Sequence, residues 1–143
     1  MGKLNRKNKI IILLKGRHAG KKAVIIKSFD EGTTERPFPH CLVAGIERYP
    51  RKVTKGMKRE DILKKSKVKA FFRYVNVSHV IITRYNVDIN LSELTSYDFS
   101  DPSARADNRK RIGDLLTKRY LTASAKDKKV SDGNDFLFKK LIF

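Results

Sequence analysis

The sequence predicts a mainly β fold with an α-helical extension, and two observations indicate it. About five short runs of β-branched and apolar residues, separated by turn-forming residues, occupy positions 1–90 and are typical of a small β-barrel. After position 90 this pattern gives way to helical spacing and then to an apolar terminus. We therefore divide the chain into a basic barrel at residues 1–90 and a helical extension with a tail at residues 91–143.

Each strand follows from its local pattern. Strands are predicted at residues 9–14, 22–28, 40–48, 68–77 and 81–89. Gly45 marks a candidate bulge in the third of them. The last strand alternates most clearly, which predicts one face with Ile81, Thr83, Tyr85, Val87 and Ile89 and another with Ile82, Arg84, Asn86 and Asp88.

Two helices are predicted between and after the strands. Residues 58–66 suit one or two helical turns. A longer helix is expected from Asp101-Pro102 to about Leu121, because aspartate is a favourable N-cap and proline is favourable at the first helical position. Its apolar residues recur at helical spacing, namely Ile112, Leu115, Leu116 and Tyr120. Its first half is almost entirely polar, which indicates a solvated stretch or one that faces a charged partner.

The charge balance points to a polyanionic partner. The 143 residues include 33 Lys+Arg and 15 Asp+Glu, a formal net charge of +18. Such an excess of like charge repels itself in a compact state, and nucleic acid is the commonest partner that neutralises it. Residues 1–90 hold 22 basic and 7 acidic residues, against 11 and 8 in the remainder. The binding body is therefore expected in the first two-thirds of the chain.

Several classes of protein are excluded by composition. The single cysteine, Cys41, excludes a disulfide scaffold, indicates a reducing compartment and is expected to be a small buried side chain. The longest apolar run, Ile10–Leu14, is far shorter than the roughly 20 residues of a membrane span. Basic residues before this run resemble the start of a signal peptide, but Lys15 ends the run before it reaches the length that a signal peptide needs. Three scattered histidines, at positions 18, 40 and 79, do not make a zinc site. No metal, cofactor or membrane partner is expected.

Catalytic signatures are also missing from the sequence. There is no phosphate-binding P-loop, no nucleophile elbow and no recognisable pair of carboxylates. Asp98 and Asp101 precede the long helix, where turn and capping roles explain them. An enzyme that modifies nucleic acid would need a catalytic cluster, so we expect no enzymatic activity and no small-molecule substrate.

The first hairpin is the sharpest candidate for phosphate binding. Glycines at both ends of its loop permit positive φ, and nearby cations and loop N–H groups can meet phosphate oxygens. The candidate residues are Lys15, Gly16, Arg17, His18, Gly20, Lys21 and Lys22. The alternative is a plain hairpin with solvated charges. We expect alanine at positions 21 and 22 to weaken RNA binding and spare the fold, and valine at position 20 to damage both.

Further basic residues extend the candidate surface. A second group contains Arg48, Tyr49, Arg51, Lys52, Lys55, Lys58 and Arg59, and a third contains Lys64, Lys65, Lys67 and Lys69. Single candidates are Arg73, Arg84, Arg105, Arg109, Lys139 and Lys140. Arginine forks can bind phosphates, whereas solvated charge is the alternative for the lysines. Tyr49 either stacks on an unpaired base or packs at the barrel edge.

Residues 11–27 (IILLKGRHAGKKAVIIK) resemble a KOW motif, the strand–loop–strand that opens an SH3-like barrel in ribosomal proteins and transcription elongation factors. Beyond it, the chain resembles the eukaryotic family of large-subunit ribosomal proteins numbered twenty-seven, which is distinct from the bacterial family of that number. The matching segments are Arg36-Pro37, residues 42–54 (LVAGIERYPRKVT), 64–69 (KKSKVK), 83–89 (TRYNVDI), Asp101-Pro102, 118–120 (KRY) and 138–143 (FKKLIF).

This resemblance implies a function as well as a fold. It implies an SH3-like barrel with a helical extension, acting as a structural constituent of the cytosolic large ribosomal subunit. The partners would be ribosomal RNA and neighbouring large-subunit proteins, with assembly in the nucleus or nucleolus. The alternative is a KOW-containing transcription or RNA-processing factor, which would not sediment with large subunits.

The terminus at residues 136–143 (FLFKKLIF) holds six large apolar side chains, divided by Lys139 and Lys140. Such a cluster would be an aggregation hazard in water. We expect it to dock outside residues 1–90, against RNA or a neighbouring protein. Truncation after Tyr120 would then leave the melting of the barrel nearly unchanged.

Overall fold

A computed structural model describes residues 7–91, 101–125 and 136–142. Its strands are β1 (Lys9–Leu13), β2 (Lys22–Phe29), β3 (His40–Arg48), β4 (Lys69–Asn76) and β5 (Val80–Asn86). They form one antiparallel sheet in the order β4-β3-β2-β1-β5, which is not closed by pairing of its two edge strands. The helices are α1 (Arg59–Lys65) and α2 (Pro102–Ala125). The mainly β fold and these seven elements are therefore confirmed. The predictions for Asp98 and Phe143 fall outside the described residues.

The inner face of the sheet buries one apolar cluster. Its members are Ile11, Leu13, Ala23, Ile25, Cys41, Val43 and Phe71. Val75 of β4 and the pair Val80 and Ile82 of β5 pack against the same cluster. Because both edge strands contribute to it, the sheet curls around this face. A 3-10 turn at Val77–His79 leads directly from one edge strand to the other.

Gly45 allows the ring of Phe71 to pack closely against β3. A Cβ atom at this position would lie 2.3 Å from Cζ of Phe71, so any side chain would displace the ring. The predicted bulge at Gly45 is wrong, because the register of β3 with β4 shifts between Ile46 and Arg48 instead. Glycine is required here by close packing inside the sheet.

The outer face is covered by segments from the last third of the chain. The outer cluster combines Ile10, Val24, Ile26, Leu42, Ala44 and Ile46 with Ile112 and Leu116 of α2. Helix α2 is fixed to the entrance of β4, where the Val68 N–H donates to Thr117 Oγ1 at 3.1 Å. The helix comes so close there that a Cβ on Gly113 would lie 3.1 Å from the Val68 carbonyl oxygen. The capping prediction is confirmed, since the Ser103 N–H donates to Asp101 Oδ1 at 3.0 Å.

The predicted alternation of β5 is confirmed, although one residue of its outer face is exposed. Tyr85 and the following Val87 and Ile89 belong to the outer cluster, as expected. Ile81 is instead 50% exposed. Leu14, which lies beside this end of β5, is also half-exposed. The segments that cover the outer face therefore leave this corner of it exposed.

The expectation that the C-terminal segment docks outside residues 1–90 is wrong. Leu137 is 1% exposed and Phe138 is 7% exposed, and both belong to the outer cluster. The Phe136 ring stacks on Tyr85 of β5 with centroids 4.3 Å apart. The apolar outer face of the sheet therefore buries the C-terminal segment, in place of the expected RNA or neighbouring protein.

None of the helices in the described part of the chain has the length and apolar composition that a membrane crossing requires.

We expect Leu137→Ala to lower the free energy of unfolding by about 2–5 kcal/mol, because it leaves a cavity in the outer cluster. Urea titration followed by circular dichroism measures this change. Ile142→Ala is the control, since Ile142 is 92% exposed and its truncation should leave stability unchanged. Equal stability of Leu137→Ala and the unmodified chain would show that the terminus is not part of the core.

Candidate nucleic-acid interface

The first hairpin adopts the conformation that its glycines suggested. Gly16 has φ 93° and Gly20 has φ 79°, in the left-handed region that favours glycine. The loop N–H groups are used internally, however, because Gly20 donates to the Leu13 carbonyl at 2.7 Å and Lys21 donates to the His18 carbonyl at 3.0 Å. The hairpin therefore offers charged side chains to a phosphate, and these N–H groups are already satisfied.

His18 is held against the sheet. Its ring stacks on Phe71 with centroids 4.1 Å apart and an angle of 7° between the planes, and only 9% of the residue is exposed. Burial lowers the pKa of His18 below its ordinary value of 6.5, and Glu47 partly opposes this shift. His18 therefore lies at the rim of the inner cluster, and its contact with RNA stays a prediction.

Lys22 is a buried structural lysine. It is 2% exposed, and its Nζ donates to the carbonyl oxygens of Phe136 at 2.6 Å and Lys139 at 2.7 Å. The same Nζ lies 3.8 Å from the centroid of the Phe136 ring. Burial, followed by repulsion from Lys139, lowers the pKa of Lys22. The expectation that Lys22 reaches RNA and can be replaced without harm to the fold is therefore corrected.

Two adjoining grooves gather half of the other candidates. The first, which we call the α2 groove, has a volume of about 690 Å³. It is lined by Arg48, Tyr49, Arg51, Lys64, Lys65, Lys67, Val68, Lys69, Ala70, Ala106, Arg109, Lys110, Gly113 and Asp114. The second, the hairpin groove, has a volume of about 580 Å³. It is lined by Arg17, His18, Lys21, Glu47, Arg48, Tyr49, Pro50, Arg51, Lys69 and Lys140. The four residues common to both sets make one continuous surface.

This surface is strongly positive. Eleven basic side chains line the two grooves, against the two carboxylates of Glu47 and Asp114. Glu47 holds the junction together, since its carboxylate lies 3.3 Å from Arg17 and 3.7 Å from Lys69. Its carbonyl oxygen also accepts a hydrogen bond from Lys21 Nζ at 2.9 Å. Glu47 thus positions two cations through its carboxylate and a third through its carbonyl oxygen, and a large positive excess is left for a polyanion.

Tyr49 lies where the grooves meet. Its hydroxyl accepts a hydrogen bond from the Lys22 N–H at 2.8 Å, and its ring packs against the outer cluster. Burial raises the pKa of Tyr49, and the bond from Lys22 partly opposes this. Of the two alternatives that the sequence left open, these contacts favour packing at the edge of the sheet.

The remaining candidates are scattered. Lys15, Gly16 and Arg73 line a smaller depression of about 240 Å³, which His18 also lines. Gly20, Lys52, Lys55, Lys58, Arg59, Arg84, Arg105 and Lys139 line none of these three depressions. Arg84 instead donates to the Tyr85 hydroxyl at 3.1 Å.

Sequence reasoning missed part of the α2 groove. Lys110 and Asp114 line it together with Ala106, Arg109 and Gly113. These five positions follow the spacing of one helical face, which was the available signal. It was overlooked because the stripe contains no large apolar residue to mark it.

Within the described residues, no group of histidine, cysteine, aspartate and glutamate side chains is arranged to hold a metal ion. Cys41 is fully buried, as expected, and burial raises its pKa to about 11.

The chain was compared with models of protein families. The model described as the Ribosomal L27e protein family matches residues 10–142. The match therefore spans nearly all of the sheet, both helices and every residue that lines the two grooves.

We expect Lys22→Met to lower the free energy of unfolding by about 1–3 kcal/mol, because the carbonyl groups of Phe136 and Lys139 lose their donor. Chemical denaturation measures the change. The matched control is Lys15→Met, which removes the same charge from an exposed position and should be neutral. A Lys22→Met protein as stable as this control would contradict the structural role.

We expect acid to destabilise the protein through His18. Its pKa in the folded state lies below the ordinary value of 6.5, so the unfolded chain takes up the proton first. Stability is therefore fully present above about pH 6.5 and decreases as the pH falls below it. Thermal melts at closely spaced pH values should show this slope, and His18→Phe should remove it. The control His79→Phe should keep the slope; an unchanged slope in His18→Phe would refute the assignment.

Proposed function

Since the chain belongs to the Ribosomal L27e protein family, we propose that its two grooves bind phosphates of ribosomal RNA and so hold RNA segments in place. Membership makes the chain a structural protein of the large ribosomal subunit, associated with ribosomal RNA and other ribosomal proteins. Families of this kind are typically non-enzymatic. The proposal concerns which residues make contact and how.

The continuous basic surface carries this proposal. Its cations come from separate parts of the chain: the first hairpin, the end of β3, the end of α1, helix α2 and the C-terminal segment. Neutralising RNA phosphates releases condensed counterions, which favours binding without base-specific contacts. Residues 1–90 supply most of the charge in this proposal, and residues 91–143 complete it with Arg109, Lys110 and Lys140.

We also propose that the curled sheet is an SH3-like KOW barrel. An inner cluster with residues from all five strands supports this, as does the 3-10 turn between β4 and β5. The N–H of Leu14 donates to the His79 carbonyl at 2.9 Å, which ties the end of β1 to that turn. These contacts bring the two edges of the sheet toward each other.

The wider cellular role follows from the proposed function. The protein has no catalytic activity and no small-molecule substrate in this account, and it acts in cytoplasmic ribosomes after assembly in the nucleus or nucleolus. Its neighbours are RNA segments and other proteins of the large subunit.

We expect Lys64→Gln with Lys67→Gln to weaken binding of the isolated protein to RNA and to reduce the salt dependence. Both lysines line the α2 groove. Each lost phosphate contact should reduce the slope of log affinity against log salt concentration by about 0.7–0.9. Fluorescence anisotropy with a labelled RNA hairpin at several salt concentrations measures affinity and slope together.

The matched control is Lys55→Gln with Lys58→Gln. These lysines are exposed and carry the same charge, but they line neither groove. They should have a clearly smaller effect on the slope. Equal effects of the two pairs would mean that net charge, and not the groove, determines binding.

A further inference from the structure

The α2 groove differs from a plain phosphate-binding surface in having an apolar floor. Ala70 at the start of β4 and Ala106 and Gly113 on α2 line it, all of them small. A phosphate group needs donors and positive charge and gains nothing from methyl groups. The flat face of a nucleobase is the part of RNA that gains from such a floor.

The walls of this groove are basic and held in place. On one side, the Arg51 N–H donates to the Lys65 carbonyl at 2.8 Å, which joins the loop after β3 to the end of α1. On the other side, Arg109 and Lys110 lie on α2, which the Val68–Thr117 hydrogen bond fixes to β4. The groove is therefore pre-organised, with cations above an apolar floor.

Its size restricts what can enter. About 690 Å³ lies within the range of roughly 300–1,000 Å³ that encloses small molecules. An RNA duplex presents its phosphates on a wide surface and cannot place a base face on the floor. A single unstacked nucleotide can do so, with its flanking phosphates against the walls.

Asp114 makes one part of the groove chemically different from the rest. It is the one carboxylate among the residues that line the α2 groove, and it forms no ion pair with any residue that the structure describes. A carboxylate repels phosphate but accepts hydrogen bonds from the N–H groups of a base edge. A bound nucleotide would therefore place its base edge toward Asp114 and its phosphates toward Arg51 and Lys64.

We infer that the α2 groove binds one extruded nucleotide of the RNA, at a bulge or a single-stranded junction. This inference rests on the proposed function and adds to it the kind of RNA feature that is recognised. Recognition then depends in part on the local shape of the RNA, because a fully paired helix would contact only the basic walls of the groove.

The test compares two hairpin RNAs of equal stem length, one fully paired and one with a single bulged adenosine. We expect the bulged hairpin to bind about tenfold more tightly, because its extruded base buries apolar surface against the floor of the groove. With 2-aminopurine as the bulged base, fluorescence should change on binding. Equal affinities and unchanged fluorescence would overturn the inference and leave the groove to a paired backbone or a protein partner.

A variant with a larger side chain on the floor of the α2 groove tests whether the floor causes the preference for the bulged hairpin. Ala106→Leu should reduce the ratio of the two affinities to within about twofold, because the larger side chain occupies the space of the extruded base. The control Thr122→Leu places the same side chain at another exposed position of α2, outside the groove, and should keep the preference. Failure of both RNAs to bind the unmodified chain would refute the proposed function itself, whereas equal binding would refute only this inference.

Discussion

The apolar outer face of the sheet is the constraint from which the rest of the structure follows. A curled sheet of this size buries its inner face by itself, but its outer face must be covered by another element. The last third of the chain supplies that cover through Ile112 and Leu116 of α2 and through Leu137 and Phe138. Lys22 reinforces it, because its buried amino group binds two carbonyl oxygens of the C-terminal segment.

The same cover builds the binding surface. To bury Ile112 and Leu116, α2 crosses the start of β4, so its neighbouring stripe with Arg109 and Lys110 forms a wall opposite α1. Docking of the C-terminal segment likewise brings Lys140 beside the first hairpin. The proposed RNA binding is thus coupled to core packing, since the segments that complete the core also carry the cations that complete the grooves.

Much of this architecture could be predicted from the sequence, and the failures have physical causes. Strand alternation and the Asp101-Pro102 cap are local signals, so the seven elements were predicted close to their observed bounds. The burial of Lys22, His18 and the C-terminal segment depends on contacts between parts of the chain that are distant in sequence. A lysine beside a basic loop looks like an RNA contact until the position of residue 136, across the sheet, is known. The small residues of α2 in the groove share one helical face, but only packing of the helix against β4 brings Ala70 beside them.

The most direct test of the account is a cryo-EM map of the large ribosomal subunit that contains this chain. The account predicts RNA phosphates within hydrogen-bonding distance of Arg48, Arg51 and Lys69, where the two grooves meet. It also predicts the C-terminal segment on the outer face of the sheet. A map in which those three side chains face open solvent or another protein, while RNA contacts a different face, would contradict it.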